Sequence, residues 1–250
     1  MKSLTAELTR YLETNLQSSE ARFNSQIDII RRLGAVGGSR ILDIGCGGGL
    51  FMAKARELGA RVTGIELDDG RAAYCIMKHG LDVVKHRIED PYWQRRYGTF
   101  DFVTMWDVIE HVNFPLATLT AAANLLKRGG ILVVDTPARD SFYYRVGVAT
   151  YRATCGLVPS FLNVMYSNHA FGHKQILSTS ELRVLFEYAR LDVIRIEKFH
   201  ELSFPCEFYL QKMTGSQYFA RAMAPIAASF FRFFRLRNKM VGIACRLTGE

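Results

Sequence analysis

The chain has 250 residues, 49% hydrophobic and 22% charged, a composition that builds a sizeable core and excludes a disordered or low-complexity polypeptide. Cys46, Cys75, Cys155, Cys206 and Cys245 are odd in number, widely spaced and contain no CxxC pair, so neither a disulfide framework nor a zinc knuckle is indicated and a reducing cytoplasm is the expected home. The net charge of +8 is uneven, with six Lys or Arg against one acid from Met213 to Glu250, so the tail either meets an anionic partner or is simply solvated.

The opening MKSLTAELTRYLETNLQ lacks the apolar core of a signal peptide. The longest apolar stretch toward the C-terminus, Ala222 to Phe231, falls short of the ~20 residues that span a bilayer. The expectation is a protein not integral to a membrane. Leu4–Leu33 reads as one or two helices packing over the sheet that the downstream segments build. In those segments short apolar runs alternate with helical patterns, the mark of strand-helix units and a parallel sheet. The predicted strands are Arg40–Ile44, Arg61–Glu66, Asp82–Lys85, Phe100–Met105 and Gly130–Asp135. Between them Leu50–Leu58, Gly70–Lys78 and Leu116–Leu126 place apolar residues at three- and four-residue steps. Ala138–Gly172 is irregular, rich in Tyr, Phe, Ser and Arg, and long enough to cover an active site. Thr179–Ala189 reads as a helix, Leu191–Lys198 as a strand and Ser203–Met213 as a second strand-like segment. The main domain is expected over 1–213, with 1–35 as a helical cover and 138–172 as a substrate-side insertion, followed by basic amphipathic helices over 214–250.

The most informative run is ILDIGCGGGL, Ile41 to Leu50. A buried strand ends in Gly45, Gly47, Gly48 and Gly49 and enters a helix at Leu50. Glycines suit a tight turn that a ligand approaches closely. Asp43 sits at the strand end, and the second strand finishes at Glu66, 21 positions after Gly45, where a carboxylate can accept hydrogen bonds from a ribose diol. A Walker loop would need Gly-Lys-Ser/Thr, and Leu50 and Phe51 follow Gly49 instead. A dinucleotide fingerprint would place its third glycine at Leu50. The ligand indicated is a nucleoside without a pyrophosphate, since Asp43 repels phosphate and suits an ammonium group.

These residues resemble the class I S-adenosylmethionine-dependent methyltransferases, and the resemblance continues in order through VTGIELDD, FDFVTMWDVIEHV (Phe100 to Val112) and LLKRGGILVVDTP (Leu125 to Pro137). It implies an α/β Rossmann-like sheet of seven strands in the order 3-2-1-4-5-7-6, the last antiparallel. It also implies that Asp43, Gly45 and Gly47 hold the methionine portion and Glu66 the ribose hydroxyls. Leu67 and Trp106 join the cofactor-binding set, with Glu89 or Asp90 near the adenine.

Methyl transfer needs alignment and, for a hydroxyl acceptor, removal of a proton. Trp106, Asp107, Glu110 and His111 follow the fourth strand, at the carboxyl edge where open α/β sheets bind ligands. His111 is the candidate base, because histidine titrates near neutrality without a large environmental shift, and Glu110 is counted with it as catalytic. The same pair could instead cap the following helix. Asp107, Glu110 and His111 have i, i+3, i+4 spacing and would face one way in a helical turn. They resemble the ExxEH element of the small-RNA 2′-O-methyltransferases and the ubiquinone-biosynthesis O-methyltransferases, which implies a hard divalent ion such as magnesium, with His173 as the distant fourth ligand. Phe142, Tyr143, Tyr144, Tyr151 and Tyr166, with Arg139, Arg145 and Arg152, either line an acceptor pocket or pack the insertion onto the sheet.

Phe219, Met223, Ile226, Phe230 and Phe233 recur at alternating steps of four and three, with Arg221, Arg232 and Arg235 on the opposite face and Pro225 interrupting. Such a helix lies on an anionic membrane surface or docks on the protein's own core. The expected activity is methylation of an oxygen on a small, aromatic or lipid-linked acceptor, in the cytoplasm or at the inner face of a membrane. A sugar or polysaccharide precursor, RNA, and a non-catalytic cofactor- or lipid-binding adaptor are the alternatives. Nucleic acid is disfavoured because the cations cluster at one end and no separate recognition domain is present.

Overall fold

The computed structural model describes residues 5–18, 20–157, 162, 166, 172–201, 205–234 and 237–247. Its strands are β1 (Arg40–Ile44), β2 (Arg61–Ile65), β3 (Asp82–Val84), β4 (Phe100–Trp106), β5 (Leu126–Pro137), β6 (Leu191–Phe199) and β7 (Lys239–Arg246). They form one seven-stranded sheet in the order β3-β2-β1-β4-β5-β7-β6, as the resemblance implied. The first five are parallel, and β7 runs antiparallel to both β5 and β6. The helices are α1 (Ala6–Ser18), α2 (Glu20–Leu33), α3 (Leu50–Glu57), α4 (Asp69–His79), α5 (Pro115–Leu125), α6 (Phe142–Ala153), α7 (Thr179–Tyr188), α8 (Cys206–Thr214) and α9 (Gln217–Phe234).

The central strands are continuous apolar runs because both faces of the sheet are covered. Leu42, Val103 and Leu132 meet Leu119 of α5 and Leu182 and Phe186 of α7 on one side. Their sequence neighbours Ile41, Phe102 and Val133 meet Ile27 and Ile30 of α2 and Phe51 and Met52 of α3 on the other. Local signals set the helix limits. Asp68 caps α4 by accepting from the Arg71 amide, Gly80 ends it in the left-handed region, and Ser178 and Glu181 form a reciprocal capping box on α7.

Two expectations about the C-terminal third are overturned. Of the strand-like Ser203–Met213, residues 203–204 lie outside the described set and Cys206–Thr214 is a helix. Pro205 precedes it and Gly215, at φ 71°, closes it, a bracketing that outweighs the short apolar alternation. The strand needed there is β7, in the region read as helical tail. Its Met240, Val241 and Ile243 are buried, and its registers with β5 and β6 make it the bridge between them. A short apolar run cannot be told from a buried helix by periodicity alone. Residues 214–250 are therefore not an appendage to a domain ending at 213. The helices α8 and α9 form a hairpin inserted between β6 and β7.

Candidate active site

Because β1, β2, β4, β5 and β6 run in one direction, Asp43, Glu66, Asp107, the segment before α6, and Glu201 all come to the same edge of the sheet. There β7 begins at Lys239. The glycine turn folds as its sequence requires. Gly45, Gly47 and Gly49 have φ values of 70°, 57° and 78°, in the left-handed region. A Cβ on Gly45 would sit 2.6 Å from Val108 Cγ2, whereas one on Gly47 would meet nothing within 4 Å, so the turn faces open space there. The Gly47 amide donates to Glu66 Oε2 at 2.9 Å and the Asp68 amide to Oε1 at 2.9 Å. Each oxygen of this fixed carboxylate keeps a second lone pair for a ligand hydroxyl. Asp43 is buried and accepts from the Thr104 hydroxyl at 2.7 Å. Burial pushes its carboxyl up to about 7 against that hydrogen bond, and the nearby Glu66 charge adds to the rise.

The other members of the expected cofactor set are placed unequally. Leu67, following Glu66, is exposed. Trp106 is buried edge-on to Phe51, with ring centroids 5.3 Å apart, and its indole N–H finds no acceptor among the described residues. Asp90 caps the 3-10 helix Pro91–Arg96 by accepting from the Tyr92 amide at 2.8 Å and also meets His86 Nδ1 at 3.3 Å. Glu89 accepts from the Thr118 hydroxyl through one oxygen.

Further along the same edge, around the start of β7, lies an ionic cluster absent from the sequence-based expectations. Lys239 Nζ lies 2.7 Å from Asp107, 3.1 Å from Asp135 and 3.1 Å from Glu201, with its side chain only 3% exposed. Arg22 of α2 reaches Asp107 at 3.2 Å and Glu201 at 3.8 Å. The Asp107 amide donates to Asp135 Oδ1 at 2.8 Å. Burial opposes charge on Lys239 and Arg22, yet the surrounding carboxylates outweigh it and raise both pKa values. Burial likewise opposes charge on Asp107, and Lys239 and Arg22 overcome it to hold that carboxyl below its ordinary range.

This cluster corrects the expected four-residue metal set. Asp107 has φ 54°, and the 3-10 turn Ile109–His111 begins only after Val108, so 107–111 is not one helical turn and Asp107 is turned to Lys239 and Arg22 instead. Glu110, His111 and His173 do meet, with one ligand atom from each lying within 4.8 Å of the others. The imidazoles of His111 and His173 are 4.8 Å apart, and the segment carrying His173 is tied down by the Lys174 amide donating to Glu110 O at 2.7 Å. Glu110 is fully buried. Its Oε2 accepts from the Thr136 hydroxyl at 3.0 Å, and its Oε1 has no hydrogen-bond donor among the described residues. Burial, reinforced by the Asp107 charge, pushes the Glu110 carboxyl well above its ordinary range.

Residues 158–161, 163–165 and 167–171 of the expected cover lie outside the described set. Within the rest, Tyr143 is buried and stacks near His200, Tyr144 and Tyr166 bring their hydroxyls to 3.1 Å, and Phe142 and Tyr151 are exposed. The insertion therefore combines packing with exposed aromatic surface. Beside it runs an open cleft of about 1060 Å³ between the start of α6, the start of α7 and the end of β6, with Arg237 at its rim.

A family model described as a methyltransferase domain matches residues 13–196. The ubiquinone biosynthesis O-methyltransferase of Xanthomonas campestris is 31% identical over 173 residues, covering 67% of this chain and 69% of that protein. That of Nitrosococcus oceani is 32% identical over 140 residues, covering 54% of this chain and 58% of that protein, so the match spans little more than half of the latter. Among solved structures, a SAM-dependent methyltransferase from Archaeoglobus fulgidus superposes with a TM-score of 0.62 at 22% identity, over 94% of this chain and 99% of the other. A magnesium protoporphyrin IX methyltransferase from Synechocystis with bound SAH gives 0.57 at 14% identity, over 94% and 87%.

Proposed function

Because the chain belongs to the methyltransferase-domain family, we propose that it is an S-adenosylmethionine-dependent methyltransferase acting on an oxygen of a small aromatic or lipid-linked acceptor. The observation that carries the reading is a buried Asp43 carboxyl at the end of β1 and, at the end of β2, a Glu66 fixed by two backbone amides, one of them that of Gly47, where the turn faces open space. The first suits a cationic group and the second a diol. A nucleoside bearing an amino acid fits both.

In this reading Asp43, Gly45 and Gly47 hold the methionine portion, Glu66 the ribose, and Leu67 and Trp106 supply apolar walls. Asp90 is committed to its cap, which leaves Glu89 for the adenine side. S-adenosylmethionine supplies a methyl group already made electrophilic by its sulfonium. The residues of the chain then have to align the acceptor and take its proton. His111 does the second. With Nδ1–H donating to Gly172 O, 3.3 Å away, the tautomer makes Nε2 the basic nitrogen. Glu110 stays buried behind it and fixes the segment carrying His173 through its own carbonyl.

A second use of the same side chains is favoured by Glu110 Oε1, a buried carboxylate oxygen without a donor beside two imidazoles. A divalent cation there would restore the charged form of Glu110. With Asp107 engaged elsewhere, the set of one carboxylate and two imidazoles suits zinc, manganese or iron better than magnesium. Loss of His111 as general base should lower turnover about 10²-fold or more with S-adenosylhomocysteine affinity little changed. Activity abolished by EDTA and restored by a divalent ion would assign Glu110, His111 and His173 to metal. A fully active His111→Ala would remove both roles.

No described helix is long and apolar enough to cross a membrane. The reading extends to a cytoplasmic enzyme meeting an anionic membrane surface peripherally, through residues within 214–250, where a lipid-linked acceptor would reside.

A further inference from the structure

Among the described residues, two of the six cations of the C-terminal region are seen engaged inside the fold. Lys239 is buried among three carboxylates, and Arg246 donates to the carbonyls of Asn124 and Leu126. The remaining four, Arg221, Arg232, Arg235 and Arg237, fall between Thr214 and Asn238, a stretch without a single acid. That stretch is α9 and the chain leading from it.

The helix α9 packs on α8, and neither helix makes more than marginal contact with any other element among the described residues. Ala220, Met223, Ala224 and Ala227, at helical spacing, comprise the fully buried Ala220 and three partly exposed residues. By contrast, Phe219, Ile226, Phe230 and Phe233 fall on another stripe and stand exposed, Ile226 at 61% and Phe233 at 81%, with Tyr218 beside them at 91%. Docking on the protein's own core would have buried that stripe. Large apolar side chains exposed along one face of a helix mark an interaction surface.

The hairpin also stands at the catalytic edge. Its two stems close on each other where the Glu201 amide donates to Asn238 Oδ1 at 2.9 Å and Lys239 meets Glu201, the same Lys239 that holds Asp107. Arg237 at its base lines the open cleft beside α6. Docking of the hairpin would therefore turn the acceptor side of the sheet toward whatever it docks on.

Resting on the reading that the acceptor is lipid-linked, we infer that the α8–α9 hairpin is an interfacial anchor that seats the carboxyl edge of the sheet against an anionic lipid surface, so that the acceptor enters sideways from the bilayer. Four arginines without an acid complement anionic headgroups and repel a second copy of the same face. The exposed stripe supplies the apolar insertion that charge alone, screened by salt, would not.

The closeness of the stems makes the test clean. Residues 202–237 are replaced by a Gly-Ser turn of about four residues, the length natural hairpins use, joining Glu201 to Asn238 and leaving β6 and β7 paired. A second variant, F219S/I226S/F233S, changes only exposed side chains. Cosedimentation with phosphatidylcholine vesicles containing phosphatidylglycerol should exceed that with phosphatidylcholine alone by about tenfold or more and weaken with salt. Both variants should lose this binding while their calorimetric affinity for S-adenosylhomocysteine stays that of the full chain. Undiminished vesicle binding in either variant, equal binding to the two vesicle types, or a full-chain dimer that both variants dissociate would each overturn the inference. The last would assign the stripe to a second copy. Failure of the full chain to bind S-adenosylhomocysteine would sink the methyltransferase reading alone, and the vesicle comparison would still decide the docking.

Discussion

The two halves of the carboxyl edge treat charge in opposite ways. On the side proposed for the cofactor, Asp43 and Glu66 lie near each other at the glycine turn with no Lys or Arg in hydrogen-bond contact among the described residues, and burial pushes the Asp43 carboxyl up to about 7. On the side proposed for the acceptor, Lys239 and Arg22 pair with Asp107, Asp135 and Glu201 within the protein itself, and burial pushes the Asp135 carboxyl up to about 6 despite Lys239, so two cations serve three carboxyl groups. In the proposed reading, the first half awaits a cationic ligand. The second is a network of ion pairs that fixes the ends of β4, β5 and β6 around the start of β7 and ties α2 to them.

The largest effect expected from this difference is in stability. Lys239→Met leaves three carboxylates around an apolar side chain, and removing one partner of a buried ion cluster costs about 3–5 kcal/mol. Urea unfolding should show it as a large fall in midpoint with unchanged slope. Adding Asp135→Asn should recover part of the loss, since the two residues share one network. A Lys239→Met protein as stable as the parent would show that the cluster is not structural, and the contrast between the halves would collapse.

The matching change on the cofactor side should act on ligand binding instead. Glu66→Ala removes the acceptor for the ribose diol, and hydrogen bonds to a charged group contribute roughly 1.5–3 kcal/mol, or about ten- to a hundredfold in affinity for S-adenosylhomocysteine. Folding should suffer less than in Lys239→Met, because only the Gly47 and Asp68 amides lose a partner and both lie at an open turn. Unchanged affinity in calorimetry would remove Glu66 from the site.

The same contrast explains what can be read from the chain. Asp43, the glycines and Glu66 are close in sequence, and each sits where local geometry demands it: a strand end, a positive φ, a second strand end. The sheet order is likewise legible through the resemblance. The acceptor scaffold is not, because Arg22, Asp107, Asp135, Glu201 and Lys239 come from separate segments along the whole chain and no local pattern joins them. In sequence, Lys239 is one more cation in a basic tail. Only the pairing of β7 between β5 and β6 buries it. Asp107 reads as a metal ligand because i, i+3, i+4 spacing presumes a helix, and its φ of 54° breaks that presumption. The apolar stripe of α9 is visible as periodicity, but whether it faces its own core or solvent is a tertiary fact.

The smallest and most diagnostic effect is the pH dependence of cofactor-side binding. In the folded protein Asp43 titrates at about 7, against an ordinary value of 3.8, so between those limits the folded state holds more protons than the unfolded one. Stability owed to this group therefore falls as pH rises through that window, and above about 7 the full cost of a buried carboxylate is present. A ligand ammonium or sulfonium offsets that cost only when Asp43 is ionised. S-adenosylhomocysteine, which keeps the ammonium, should accordingly bind more tightly with rising pH, by up to about tenfold per unit below 7, and level off above it. Asp43→Asn should bind more weakly at pH 8 and show a flat profile, while losing less stability than the parent between about pH 4 and 7. Calorimetric titrations from about pH 5.5 to 8 decide the matter. A parent affinity that does not change over that range would mean that Asp43 does not meet the cationic end of the ligand, and the cofactor half would be as self-contained as the acceptor half.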